Sequence, residues 1–167
     1  TDVELVFADA TEISAKLSSG EIETDMLPVP AATAAIAQSK GSVRDAIDLT
    51  TAWNDLDNGS QLIMSAVVAR ADFLAEHPQA VDTFLEEYEA SVTYVKENPE
   101  EAGQLVADLG IAPSAAIAQK AIPQCNLVFL SGEDMKPAIS GYYEVLYSID
   151  PTAVGGKLPD DDIYYVP

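Results

Sequence analysis

Short apolar runs and helical periodicities alternate along the first half of the chain. Val3-Glu4-Leu5-Val6-Phe7 is β-branched and aromatic, which predicts a strand that stops at Asp9. Asp9-Ala10-Thr11-Glu12 then has the form of a capping box, with Asp9 at the N-cap and Glu12 three positions on. Ile13 and Leu17 fall on one face of the helix that follows, and Ser18-Ser19-Gly20 supplies its stop. Residues 22–29 predict a second strand, cut by Pro28 and Pro30. The alanine-rich stretch from Ala31 to Gln38 predicts a helix, because a proline is tolerated in a first turn, and Gly41 ends it. Residues 43–49 predict a third strand leading to Thr50, Thr51 and the single tryptophan, Trp53.

Turn chemistry from Asp55 to Ser60 precedes Leu62-Ile63-Met64-Ser65-Ala66-Val67-Val68-Ala69, a nearly unbroken apolar run of the kind that forms a strand buried on both faces. The strand is expected over 62–70. From Ala71 onward the period becomes helical. Val81, Phe84, Leu85, Tyr88, Val92 and Val95 recur at three- and four-residue steps, predicting a long helix from about Pro78 to Glu97. Further helices are expected from Asn98 to Leu109, from Pro113-Ser114, and from Gly132 to Tyr147. The order β-α-β-α-β followed by helices predicts an α/β fold with a parallel or mixed sheet. Ligands on such sheets sit outside the carboxyl ends of the strands. Those ends are Ala8 to Thr11, Leu27 to Ala31 and Leu49 to Thr51.

Charge narrows the partners. Lys and Arg total 8 against 28 Asp and Glu in 167 residues, a formal net charge of −20. That field repels phosphate backbones and anionic headgroups, so nucleic acid is not an expected partner. Cys125 is the only cysteine, which excludes an intramolecular disulfide and a multi-cysteine metal site. No apolar run approaches the roughly 20 residues of a membrane-spanning helix. The start at Thr1 lacks both an initiator methionine and a basic-then-apolar leader, as expected where a secretory signal has been removed or was never included.

Individual motifs offer little chemistry. Gly155-Gly156-Lys157-Leu158 departs from a phosphate loop, with Pro151 at the first glycine position and Leu158 where Ser or Thr is required. Asp55-Leu56-Asp57-Asn58-Gly59 begins like a calcium loop, but its glycine comes one residue early and Ala66 stands in place of the bidentate glutamate. His77 and Cys125 each lack a spaced partner, and the Asp160-Asp161-Asp162 run reads as a solvated acidic surface. No catalytic residue, metal or cofactor is therefore expected. Asp9 and Thr11 read equally as helix caps and as neighbours of backbone N–H groups that face a ligand. Trp53 reads as a core residue or as a stacking platform.

Several phrases, taken in order, resemble the substrate-binding proteins of bacterial ABC importers, in the branch of nitrate, sulfonate, taurine and thiamine-precursor binders. The carriers are Val6 to Ile13 with Leu17 to Glu23, Leu27 to Ala32, Ala66 to Arg70 with Asp72-Phe73-Leu74, His77-Pro78, and Glu97 to Ala102. The segment Ile122 to Leu127 and the ending Val154 to Tyr165 resemble a lipoprotein subgroup of the same kind. The resemblance implies the type II periplasmic-binding-protein fold, in which two α/β lobes joined by a hinge clasp a small molecule, and it implies that only part of that fold is present here. Residues 1–61 would be the remainder of the second lobe and 62–70 the hinge or return strand, while 71–167 would be helices packing on the first lobe. The ligand-facing positions implied are Asp9, Ala10, Thr11, Pro28, Val29, Pro30, Ala31, Met64 and Ser65. Many relatives carry Glu where Val29 stands.

The leading expectation is a non-enzymatic receptor, extracytoplasmic and either periplasmic or lipid-anchored, that delivers a small-molecule ligand to ABC permease subunits. The alternative is a cytoplasmic effector-binding domain of a transcription regulator with a similar fold. An enzyme of the thiamine-pyrimidine branch would want several His and Cys ligands, and the chain has one of each. If the chain is a fragment, its N-terminal strand presents an apolar edge, and dimerisation or segment exchange through that edge is expected.

Overall fold

The computed structural model describes residues 6–166, and among them every regular element is helical. The eight α-helices are α1 (Ala10–Ser19), α2 (Val29–Gln38), α3 (Leu49–Asn54), α4 (Ala71–Glu76), α5 (Pro78–Glu97), α6 (Pro99–Asp108), α7 (Ala115–Ala121) and α8 (Gly132–Ile149). Short 3-10 turns cover Ile122–Gln124, Pro151–Val154 and Asp161–Ile163. The expected α/β fold of periplasmic-binding-protein type is thus overturned: no strand occurs among the described residues. Of the four expected strands, the first lies largely outside the described residues, and Val6 and Phe7 at its end carry no regular structure and are exposed. Residues 22–28 are irregular with bends at Glu21 and Glu23, and Val29 already belongs to α2. Residues 43–48 are likewise irregular, and Leu49 opens α3. Residues 62–70 are irregular; Leu62 and Ile63 are half-buried and the rest exposed, with Val68 89% and Met64 77% exposed.

The reason is the non-local nature of a strand. A helix satisfies its own N–H and C=O groups within four residues. A strand needs a second chain segment about 4.8 Å away to do so. None of the three apolar runs that lie within the described residues has such a neighbour among them. The helices expected after residue 71 are found close to where the period places them, with His77 separating α4 from α5. The apolar stripe of α5 is only partly covered, and no residue of that helix is buried.

The described residues divide into two compact units. One comprises the chain up to Ala46 together with Ala90–Val128, and the other Ile47–Glu89 together with the chain from Phe129. In the first, Ile13, Leu17 and Ala35 form the core, with Ile22, Leu27 and Val43 packed against it. Ile22 and Leu27 are an odd number of residues apart, so a straight strand would aim them at opposite faces. The bends at Glu21 and Glu23 turn both inward. Gly20, at φ 77°, closes α1 in the left-handed region, which places the Glu21 N–H 3.0 Å from the Lys16 carbonyl. In the same unit α6 and α7 pack closely because Gly103 has no side chain: a Cβ there would stand 3.0 Å from the backbone nitrogen of Gln119.

The second unit is tied by polar and aromatic contacts. The Trp53 indole donates to the Ser60 hydroxyl at 3.0 Å, and its ring centroid lies 5.5 Å from that of Tyr142. Gly141 packs against Ser60, where a Cβ would meet the Ser60 Cβ at 3.4 Å. Trp53 is therefore a half-buried structural tie. The tail is held on the same unit by Lys136 on Asp161 at 2.6 Å and by the Tyr165 hydroxyl donating to Asp82 at 2.8 Å.

Candidate ligand-binding site

The helix pair α1 and α2 organises the first unit. The Ser14 hydroxyl donates to the Ala31 carbonyl at 3.3 Å, and the Ser18 hydroxyl reaches the Ala35 carbonyl at 3.4 Å. Both contacts join residues 17 apart and advance in the same direction, so the two helices run parallel. Residues 20–28 return beside them over the length of one helix, about 15 Å for ten residues. Both N-termini consequently lie at one end of the pair. Asp9-Ala10-Thr11 and Pro28-Val29-Pro30-Ala31 are brought together there.

The two ends differ chemically. Asp9 has extended backbone at φ −66° and ψ 140°, and its carboxylate accepts the Thr11 N–H at 2.8 Å. That N–H bond holds the Asp9 carboxyl below its ordinary pKa. The capping box is only half formed, because Glu12 turns away to pair with Lys16 at 2.7 Å. At α2 no side chain caps the helix. Pro28 stands at the N-cap and its carbonyl accepts the N–H groups of Ala31 and Ala32, both at 3.0 Å. Asp9, Thr11, Pro28 and Pro30 are exposed, while Ala10, Val29 and Ala31 are half-buried. The result is one end where the starts of two helices lie beside short apolar side chains, with the Thr11 N–H turned onto Asp9 and the Ala31 and Ala32 N–H groups onto the Pro28 carbonyl. Met64 and Ser65, the remaining expected contacts, lie exposed in the irregular stretch of the other unit.

A groove of about 400 Å³ lies further along α2. Thr33, Ile36 and Ala37 form one wall, Gln119 and Lys120 of α7 with Pro123 and Gln124 form another, and Asp45 closes it. None of these residues stands out in the sequence, because the groove arises from the packing of α2 on α7. Ser14 and Ser18 were equally inconspicuous. The available signal was their spacing of four, matched by Ala31 and Ala35 on the partner helix.

The other chemically suggestive residues have structural partners. His77 caps α4, its ring 5.0 Å from Phe73 and its Nε2 4.0 Å from Glu76. Cys125 is half-buried, and loss of solvation pushes its thiol pKa up, away from the reactive thiolate. The acidic run near the tail is partly paired: Asp160 meets Lys157 at 3.4 Å and Asp161 meets Lys136. Asp57, at φ 46°, and Gly59, at φ 75°, shape a tight turn. No group of three or more His, Cys, Asp or Glu side chains converges to hold a metal ion among the described residues. No helix among them is long and apolar enough to cross a membrane.

A family model described as "NMT1/THI5 like" matches residues 1–102. Neither the curated proteins nor the solved structures give a match to the chain.

Proposed function

We infer the role of the chain from its family: it belongs to the NMT1/THI5-like proteins, the nitrate, sulfonate and thiamine-precursor substrate-binding proteins of ABC importers. At that level it is a solute-binding protein of an ABC transporter. The family is mainly non-enzymatic, although THI5 itself has a biosynthetic role.

Within that frame we propose that the chain acts as a receptor without catalytic function. It works outside the cytoplasm, free in the periplasm or lipid-anchored, and passes a small polar solute to the permease. We propose Asp9, Ala10, Thr11, Pro28, Val29, Pro30 and Ala31 as solute contacts, with Met64 and Ser65 as further ones. The family match carries the transport reading. The parallel pairing of α1 and α2 supports the placement of the contacts, since it brings the first two of these segments to one end of a helix pair.

Titration calorimetry with nitrate, taurine and a hydroxymethyl aminopyrimidine tests the reading. One of the three is expected to bind saturably, and Thr11→Ala with Pro30→Ala to weaken that binding by about tenfold or more. Absence of saturable binding for all three sinks the reading. Unchanged affinity in the double variant moves the contacts elsewhere.

A further inference from the structure

We propose that the groove between α2 and α7 is a binding site for a free amino acid with an apolar side chain, held as a zwitterion by Lys120 and Asp45. The site is separate from the solute contacts proposed above, and neither reading depends on the other.

The groove lies within the first unit and measures about 400 Å³, inside the range of roughly 300–1,000 Å³ typical of small-molecule sites. Its lining carries one cation, Lys120, and one anion, Asp45. Among the described residues neither side chain enters an ion pair, with the other or with any third group. Arg44 donates to the Asp45 main-chain carbonyl at 3.1 Å, which leaves the Asp45 carboxylate uncommitted. Two opposite charges left unpaired in one groove match a ligand that brings both charges with it. A simple anion would meet Lys120 but face Asp45, in a chain whose net charge of −20 already opposes it. A simple cation would satisfy Asp45 and face Lys120.

The two glutamines of the lining sharpen the match. Gln119 donates from Nε2 to the Glu100 carbonyl at 3.2 Å, and Gln124 from Nε2 to the Lys120 carbonyl at 3.2 Å. A carbonyl can only accept, so the nitrogen of each amide is held on the main chain and its Oε1 atom is an acceptor with no protein donor. With the Asp45 carboxylate these make three acceptor groups on residues of the lining, as many as a primary ammonium has N–H donors. Lys120 supplies the counter-charge for a carboxylate. Ile36, Ala37 and Pro123 supply apolar surface for a hydrocarbon side chain. The charged residues of the groove are exposed, so solvent screens them and the affinity is modest.

Nuclear magnetic resonance titration of the isotope-labelled full chain with L-leucine tests the proposal. Saturable shifts are expected at the side-chain amides of Gln119 and Gln124 and the main-chain amides of Asp45 and Lys120, with a Kd below about 1 mM. Two analogues separate the charges: 4-methylpentanoate lacks the ammonium and isoamylamine lacks the carboxylate. Each should bind at least about tenfold more weakly than L-leucine. Asp45→Asn should lower L-leucine to the level of 4-methylpentanoate, and Lys120→Gln should lower it to that of isoamylamine. Both side chains are exposed, and circular dichroism at the parent level is expected for either variant. Absence of saturable shifts at these four residues overturns the proposal. An analogue that binds as tightly as L-leucine overturns it as well, because one charge would then suffice. Unchanged affinity in both variants places the amino acid on another surface and likewise overturns it.

Discussion

The helix pair of the first unit and the apolar stretch of residues 62–70 in the second start from similar raw material and end in opposite states. Both are rich in small and aliphatic residues. In α1 and α2 these residues disappear from solvent: Ala35 is fully buried and Leu17 only 7% exposed. In 62–70 Leu62 and Ile63 are half-buried and the others remain in solvent, with Val68 at 89%. Hydrophobicity does not separate the two, since the exposed stretch is the more apolar. What separates them is where the backbone finds its hydrogen bonds. The helices are closed within themselves, so their side chains are free to meet one neighbour. The apolar run would have to be closed by another segment, and none of the described residues supplies it.

The sharpest way to break this contrast is to cut into the buried side. Leu17→Ala removes a side chain packed on Ile13 and Ala35 and should cost about 2–5 kcal/mol by chemical denaturation. A loss under about 1 kcal/mol would mean that the α1 and α2 core is not the anchor of its unit. In the second unit Trp53→Phe deletes the N–H that meets Ser60 and keeps an aromatic ring beside Tyr142. A loss of about 1 kcal/mol is expected. No change would place the tie in the ring contact alone.

Acid titration probes the caps. The carboxyl groups of Asp9, Asp48 and Asp150 are all held below their ordinary pKa, the first two chiefly by backbone N–H bonds from Thr11 and Thr51, the third chiefly by the Thr152 hydroxyl. A group depressed in the folded state contributes stability that is fully present above its unfolded value, near 3.8, and is lost as pH falls through the lower folded value. Melting temperature should therefore hold down to about pH 5 and decline below about 4, and Asp9→Asn should flatten part of that decline. An Asn variant with the parent's full acid dependence would show that Asp9 is not among the groups responsible.

The smallest effect is expected at the exposed run. Val68→Ser should alter stability by no more than about 0.5 kcal/mol, because the side chain is already in water. A loss beyond about 1 kcal/mol would show that the run is covered in solution and would remove the contrast.

Features that act within a turn or two are legible from the residues alone. Asp9 as an N-cap, Gly20 as a stop, Ser114 capping α7 and the long helix ending at Glu97 were all readable, because caps and periodicities act within one or two turns. The apolar runs were readable too, but not their state. Alternation of strand-like runs with helices suggested a sheet, and the absence of any paired strand among the described residues came from partners that no local pattern specifies. The same division holds for the candidate site. Asp9, Thr11 and the Pro28 to Ala31 segment can be picked out near helix starts, yet only tertiary packing decided that the helices run parallel and that those starts share one end. The interface of Ser14 with Ala31 exists only once two helices have closed their own backbones and settled against each other.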